Sequence, residues 1–173
     1  MTAQNHRHPE AGIWQPEPGP ELDTVMCSWL LEPGLLTARL RTQCGSKFRL
    51  QLVNESHSDE AELAIYRQVA LCCSDEPCIY AECRIPMNTA NAHFWLRDLG
   101  NEPLGERLLE KENVSRSAFE YAWLLPDVLP EWIRAFAKPD SHQLWARRSE
   151  FFISDHSLEV TEYFLPGVIG CAD

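Results

Sequence analysis

The segment from Leu63 to Ile85 constrains the fold more than any other, because it has the pattern of a β-hairpin. Its two halves, LAIYRQVALCC and CIYAECRI, are rich in apolar and β-branched residues, and the turn-forming residues SDEP separate them. Two strands joined by so short a connection pair antiparallel. The chain therefore contains at least one antiparallel strand pair.

Other segments extend this pattern. Alternation of apolar and polar residues predicts further strands at 47–54, about 146–153 and 158–165. Helical spacing is found at 22–31, 35–43, 96–112, 115–122 and 126–138. Since the strands come in blocks and do not alternate with helices, we predict an α+β fold with a largely antiparallel sheet and short helices.

Length and charge limit the domain organisation and the function classes. A chain of 173 residues, 45% of them hydrophobic, is expected to form one domain. The first 20 residues contain four prolines and predict a flexible arm, which leaves 21–173 as the domain. The net charge of −11 argues against a nucleic-acid partner. With no apolar run of 18 residues and no signal-peptide pattern, we expect no membrane span and a cytoplasmic location.

The seven cysteines lack the paired CxxC spacing of a zinc site. Alternation also distributes Cys72, Cys73, Cys78 and Cys83 over two strand faces. We expect reduced, mostly buried thiols and no metal.

Two charged residues lie on strand faces that are otherwise apolar. Arg67 shares a face with Val69, and Glu162 shares a face with Val160 and Phe164. An ionised group removed from water is costly unless it is paired. Arg67 and Glu162 therefore belong either to a structural ion pair or to a binding site.

The hairpin adds a second arginine to this pattern. A turn of two or four residues centred on SDEP places Arg84 opposite Arg67. Two neighbouring arginines repel each other unless an anion lies between them, and Glu82 is one diagonal step away. The residues alone leave two interpretations open: a Glu162–Arg67–Glu82 ion-pair network, or a site that binds an anion. In ARRS, alternation directs only one of Arg147 and Arg148 inward. A salt bridge or a solvated face is at least as good an interpretation of this pair as a place in the site.

Two predicted helix starts supply backbone donors for an anion. Gly100 and Pro103 precede a helical run, which places the N–H groups of Leu104 and Gly105 in a first turn. Such groups have no partner within the helix and favour negative charge. The segment PGLLTARL predicts a second start near Leu36.

Three segments occur in the order and with the gaps typical of one enzyme family. They are YRQVALCCSDEPCIYAECRIP, LGNEPLGERLL and LWARRSEFFISDHSLEVTEYFLP. With these segments the chain resembles chorismate pyruvate-lyase, the enzyme family that opens bacterial ubiquinone synthesis, from about Trp29 to Pro166. The resemblance implies a single domain with a buried ligand site covered by short helices.

The resemblance also implies an activity and a set of residues. The family converts chorismate to 4-hydroxybenzoate and pyruvate without a cofactor or metal. Matched onto this chain, Arg67 and the backbone amides of Leu36 and Leu104 bind the carboxylate, and Glu162 binds the ring hydroxyl, as a base or only as an orienting group. Lids over the product imply slow release and product inhibition. We expect a monomer.

One residue departs from the family pattern. Glu82 stands where the family has an arginine, and Arg84 lies two positions later on the same strand face. We predict that Arg84 supplies the displaced positive charge and binds substrate. The departure also keeps a second function class open, a non-catalytic protein that binds or senses aromatic carboxylates.

Overall fold

The structure, a computed structural model, describes residues 12–19, 22–58, 63–137 and 144–170. Its centre is a seven-stranded antiparallel sheet with the strand order β1-β2-β3-β7-β6, in which β4 and β5 both pair with β6. The strands are β1 (Phe48–Ser58), β2 (Ala64–Cys73), β3 (Glu76–Pro86), β4 (Val114–Arg116), β5 (Glu120–Leu124), β6 (Leu144–Ile153) and β7 (His156–Phe164). The helices are α1 (Thr24–Leu30), α2 (Leu36–Cys44), α3 (Met87–Ala92), α4 (Leu104–Leu109), α5 (Glu131–Arg134) and α6 (Gly167–Gly170). The predicted α+β fold is confirmed.

Helices cover both faces of the sheet unequally. The face that carries Arg67 and Glu162, here called the inner face, packs against two apolar clusters. Residues of α1, α2 and α6 form one cluster, and residues of α3, α4 and the segment between them form the other. On the outer face, α5 packs through Ile133 against Ala70 and Tyr80. The inner face therefore has two separate apolar layers, and polar residues lie between them.

The two N-terminal helices follow the predicted pattern closely. The Asp23 carboxylate accepts a hydrogen bond from the Met26 amide at 2.9 Å and begins α1. Helix α2 begins after Leu35 and ends at Gly45, whose φ of 54° is a conformation that glycine adopts without strain. These helices confirm the predictions for 22–31 and 35–43.

Three helical predictions fail in whole or in part. The stretch 115–122 is extended and contributes to β4 and β5, so the helical prediction there is wrong. Residues 96–112 contain a 3-10 turn and the short α4, and 126–138 contain a 3-10 turn and α5. In 115–122, pairing with β6 overrides the local helical spacing, because the sheet gives these residues partners that an isolated helix lacks.

The predicted hairpin register is wrong by one residue. A two-residue turn, Ser74 and Asp75, joins β2 to β3, and an extra residue in β3 at Cys78 shifts the pairing. Arg67 is therefore opposite Cys83, and Arg84 is opposite Tyr66. Because a shift of one residue exchanges the two faces of a strand, Arg84 lies on the outer face, away from Arg67.

The cysteine prediction also needs a correction. Cys44 at the end of α2 and Cys73 at the end of β2 are joined by a disulfide, with their Cα atoms 5.6 Å apart. The two ends meet because Cys73 lies on the inner face, under α2. Cys72, Cys78 and Cys83 are buried and keep their thiols, as predicted.

Part of the predicted N-terminal arm is paired with the sheet. The Gln15 amide donates to the Tyr121 carbonyl at 2.8 Å, and the Tyr121 amide donates back at 2.7 Å. The boundary near residue 20 stays a prediction, because 1–11, 20 and 21 lie outside the described residues. In the described ranges, no helix is both long enough and apolar enough to cross a membrane.

Candidate active site

A cavity lies on the inner face between the two apolar clusters. Its floor consists of residues from β2, β3 and β7, and its roof consists of the first turns of α2 and α4. The lining is mostly apolar, and it also contains two arginines, Arg67 and Arg116, and three glutamates, Glu82, Glu102 and Glu162. Leu36, Leu104 and Gly105 line the cavity from the roof.

Arg67 lies at one end of this cavity and is almost completely buried, with 2% of its surface exposed. Its Nη1 donates to Glu55 at 3.1 Å, and its Nη2 donates to the carbonyls of Gly100 at 2.7 Å and Glu102 at 3.1 Å. A bulge in β1 at Val53 places Glu55 opposite Arg67, on the same face. Within the described ranges these contacts use three of the five guanidinium donors, which leaves capacity for a ligand carboxylate.

Glu162 lies on β7 and faces the same cavity. Its Oε2 accepts a hydrogen bond from Arg147 Nε at 2.7 Å, and Arg116 Nη2 is 3.5 Å from the same atom. The fully buried Arg147 also donates to the carbonyls of Leu30 at 3.1 Å and Glu32 at 2.5 Å. One carboxylate oxygen is thereby fixed by arginine, and among the described residues no hydrogen bond holds Oε1, which can accept one from a ligand hydroxyl.

The two roof helices contact each other above the cavity. Leu36 and Leu104 are the first residues of α2 and α4, so their amides belong to the donors that a helix leaves unpaired. The Leu35 side chain packs on Gly105, where a Cβ would lie 2.7 Å from Leu35 Cδ2. Arg41 of α2 donates to Glu106 of α4 at 2.7 Å. A small apolar contact and a partly exposed ion pair thus join the two roof helices.

Comparison with known proteins identifies the family of this chain. The family model for chorismate lyase matches residues 8–170. The chain belongs to the chorismate lyase family. Curated relatives carry the name "Probable chorismate pyruvate-lyase". That of Aromatoleum aromaticum (strain EbN1) is 32% identical over 178 aligned positions, covering 94% of this chain and 95% of the relative.

Two further relatives with the same name align with this chain over most of their length. The protein of Methylococcus capsulatus (strain Bath) is 32% identical over 157 positions, covering 83% of this chain and 96% of the relative. The protein of Pseudoalteromonas atlantica (strain T6c) is 30% identical over 155 positions, covering 80% and 78%. The match therefore includes every element that forms the cavity.

The structure brings together most of the residues that the family resemblance singles out. The same cavity is lined by Arg67, Glu162, Leu36 and Leu104. Arg84 is not among them: it lies on the outer face of β3, and the prediction that it neighbours Arg67 is wrong. The cause is the extra residue at Cys78, which no local alternation pattern reveals.

Glu82, the departure from the family pattern, borders the cavity but directs its side chain to the outer face. Its carboxylate accepts hydrogen bonds from Tyr80 at 2.8 Å, Gln68 at 3.1 Å and Tyr163 at 3.3 Å. Burial, with help from this carboxylate, raises the pKa of both tyrosines. The predicted Glu162–Arg67–Glu82 network is wrong, because each of its members has other partners. Glu82 therefore places no negative side chain beside Arg67.

Two arginines of the site were not predicted as site residues. Arg116 was assigned to a helix, and only its pairing with Phe151 on β6 directs it to the cavity. Arg147 had a usable signal, since alternation directs only one arginine of ARRS inward. The structure confirms this: Arg147 is buried, and Arg148 forms a partly exposed ion pair with Glu120 at 2.8 Å.

Proposed function

We propose that this protein is a chorismate pyruvate-lyase, which converts chorismate to 4-hydroxybenzoate and pyruvate and so supplies the aromatic precursor of ubiquinone. The observation that carries the proposal is the placement of a buried cation, Arg67, and a largely buried carboxylate, Glu162, in one mostly apolar cavity. No ion pair joins the two within the described part of the chain. A six-membered ring with a carboxylate at one end and a hydroxyl at the other matches this polarity.

The binding mode follows from the donors and acceptors available. The ring carboxylate takes charge-assisted hydrogen bonds from Arg67 and from the amides of Leu36 and Leu104. The 4-hydroxyl donates to Glu162 Oε1, since Oε2 is held by Arg147. The apolar walls contact the ring and exclude water, which strengthens each of these polar contacts.

The chemistry asks little of the protein beyond positioning and charge stabilisation. In the reaction the C3–O bond breaks, C4 loses its hydrogen, and the enolpyruvyl methylene gains one to give pyruvate. The ring becomes aromatic, so the driving force is already present in the substrate and no cofactor is required. The enzyme holds the ether in a reactive geometry and stabilises the negative charge that develops on the departing enolpyruvate. Glu162 acts in this scheme either as the base at C4 or as the group that orients the ring.

Turnover separates this proposal from the alternative of a binding or sensing protein. Purified protein is mixed with a hundred-fold excess of chorismate, and 4-hydroxybenzoate is followed by absorbance and pyruvate by a coupled dehydrogenase. The lyase forms many equivalents of both products in equal amounts. One equivalent or less of 4-hydroxybenzoate per protein would refute the lyase and favour the binder.

Variants of two arginines on the same hairpin test the binding mode. Arg67→Ala is expected to lower kcat/KM by roughly two to three decades, which is typical for the loss of one buried charge-stabilising donor, or about 3–4 kcal/mol. Arg84→Ala is the matched control, because this arginine lies on the outer face of the sheet. An effect of equal size in both variants would contradict the proposed site.

The quaternary state and the location belong to the proposal as well. We propose a monomer that acts in the cytoplasm. We also propose that it is inhibited by its own product, since the roof helices lie over the cavity. Size-exclusion chromatography with light scattering tests the first point. Progress curves with added 4-hydroxybenzoate test the last, and an inhibition constant far above the KM for chorismate would contradict it.

A further inference from the structure

Arg116 is the second arginine that lines the cavity, and its side chain is held rigidly. It is the last residue of β4, opposite Phe151 on β6. Its Nε donates to Ser149 Oγ at 2.8 Å, and its guanidinium carbon lies 4.2 Å from the Phe119 ring centre and 4.6 Å from that of Phe151. A serine hydroxyl and two aromatic faces fix the direction of the group without neutralising its charge.

The charge of Arg116 is the least compensated in the site. Arg67 has Glu55 at 3.1 Å, and Arg147 has Glu162 at 2.7 Å. Arg116 has a 3.5 Å contact with Glu162, a carboxylate that Arg147 already holds at a shorter distance. Within the described part of the chain, no hydrogen bond or ion pair holds Arg116 Nη1. Burial lowers the pKa of Arg116 to about 10, which the Glu162 carboxylate opposes.

Arg116 is largely but not fully buried, with 18% of its side chain exposed. A cation in such a place without a full partner costs stability unless a ligand supplies the counter-charge. This inference rests on the proposed function, whose substrate carries a negative group that can supply this counter-charge. Chorismate has a second carboxylate on the enolpyruvyl side chain, and that side chain is attached to C3, next to C4. With the C4 hydroxyl on Glu162, the side chain lies beside the same carboxylate that Arg116 approaches to 3.5 Å.

We propose that Arg116 binds the enolpyruvyl carboxylate and is the residue that distinguishes the dianionic substrate from the monoanionic product. In the substrate complex its Nη groups donate to the side-chain carboxylate. When the C3–O bond breaks, the same guanidinium stabilises the charge on the departing enolpyruvate. After pyruvate leaves, Arg116 has only Glu162 as its carboxylate partner, and the product is held by Arg67, the two amides and Glu162.

A pair of ligands isolates the second carboxylate. The probes are 4-hydroxy-3-methoxybenzoate and 3-(carboxymethoxy)-4-hydroxybenzoate, which share the ring, the carboxylate and the hydroxyl and differ by one carboxylate on the 3-oxy substituent. Isothermal titration gives Kd for both probes and for 4-hydroxybenzoate in each variant. The wild type is expected to bind the dicarboxylate at least ten-fold more tightly than the monocarboxylate.

Arg116→Gln is expected to abolish that preference and to lower kcat/KM for chorismate at least a hundred-fold. Its Kd for 4-hydroxybenzoate should change less than three-fold. The matched control, Arg148→Gln, removes an arginine of the neighbouring strand that pairs with Glu120 outside the cavity, and it should retain the preference. Arg116→Lys keeps the charge without the paired donors and should lower the preference at least three-fold.

Two results overturn the inference. If Arg116→Gln weakens the binding of 4-hydroxybenzoate as much as the binding of the dicarboxylate, Arg116 only positions Glu162. If the preference survives in Arg116→Gln, or in Arg116→Lys should the glutamine variant not fold, another group binds the second carboxylate. The probe measurements need no turnover, so a wild type that does not convert chorismate refutes the proposed function alone.

Discussion

Arg147 is the arginine whose replacement should cost the most stability. Its fully buried side chain donates to Glu162 at 2.7 Å and to the carbonyls of Leu30 and Glu32. Arg147→Met keeps much of the volume but leaves the carboxylate with the longer 3.5 Å contact to Arg116. Removing one partner of a buried ion pair typically costs about 3–5 kcal/mol. We expect the free energy of unfolding to fall by that amount.

Urea denaturation followed by tryptophan fluorescence measures this loss, provided that the m-value is unchanged. At about 2.1 cal/mol/K per residue for 173 residues, it corresponds to a fall in Tm of roughly 8–14 °C. The double variant Arg147→Met with Glu162→Leu removes both charges and should be at least about 2 kcal/mol more stable than Arg147→Met alone. Arg148→Met, which breaks the partly exposed pair with Glu120, should cost less than about 1 kcal/mol.

Two outcomes would refute this reasoning. If Glu162 were solvated, Arg147→Met would cost little, so a loss below about 1 kcal/mol would show that the pair is not buried in solution. A double variant that loses the full sum of the two single losses would show that Arg147 and Glu162 are not energetically coupled.

The other predictions concern the roof and the outer face. Gly105→Ala places a Cβ 2.7 Å from Leu35 Cδ2. It should weaken retention of 4-hydroxybenzoate on the order of ten-fold, the factor for about 1.4 kcal/mol of overpacking. Stopped-flow displacement measures the release rate, and Gly170→Ala, where a Cβ meets nothing within 4 Å, is the control. Equal release rates in the two variants would contradict it. Burial and Glu82 raise the pKa of Tyr163 in the folded protein. The protonated hydroxyl therefore stabilises the folded state at pH values below the pKa of an unfolded tyrosine, and this stabilisation is lost as the pH rises above it. Above about pH 10 the free energy of unfolding should fall by up to about 1.4 kcal/mol per pH unit from this hydroxyl. Tyr163→Phe should remove that part of the slope in urea titrations, and an unchanged slope would argue against it.

The residues of the site that alternation could identify are those on regular strands. Arg67 and Glu162 interrupt apolar stripes that are regular over several residues, so their inward direction was predictable from the sequence. The pattern gave the face of each strand but not the partner of each charge. Glu162 pairs with Arg147 rather than Arg67, because β7 lies between β3 and β6. Such long-range pairing is not encoded in any local period.

Irregular strands explain the failures. Arg84 was misplaced because β3 has an extra residue at Cys78, and Glu55 was not found because β1 has one at Val53. Arg116 was missed because the short β4 depends on β6 for its conformation. The Cys44–Cys73 disulfide joins residues that are 29 positions apart, and their proximity depends on how α2 packs on β2. Each failure has a tertiary cause.

The bulges of β1 and β3 allow each of these strands to lose one residue without a change in the site. With Val53 deleted, the remaining pairs of β1 and β2 form a regular ladder in which Glu55 is still opposite Arg67. With Cys78 deleted, Arg84 is likewise still opposite Tyr66 and stays on the outer face. A deletion at either position therefore keeps every side chain of the site on its present strand face, and comparisons among relatives should align these strands by their ladder partners rather than by their lengths.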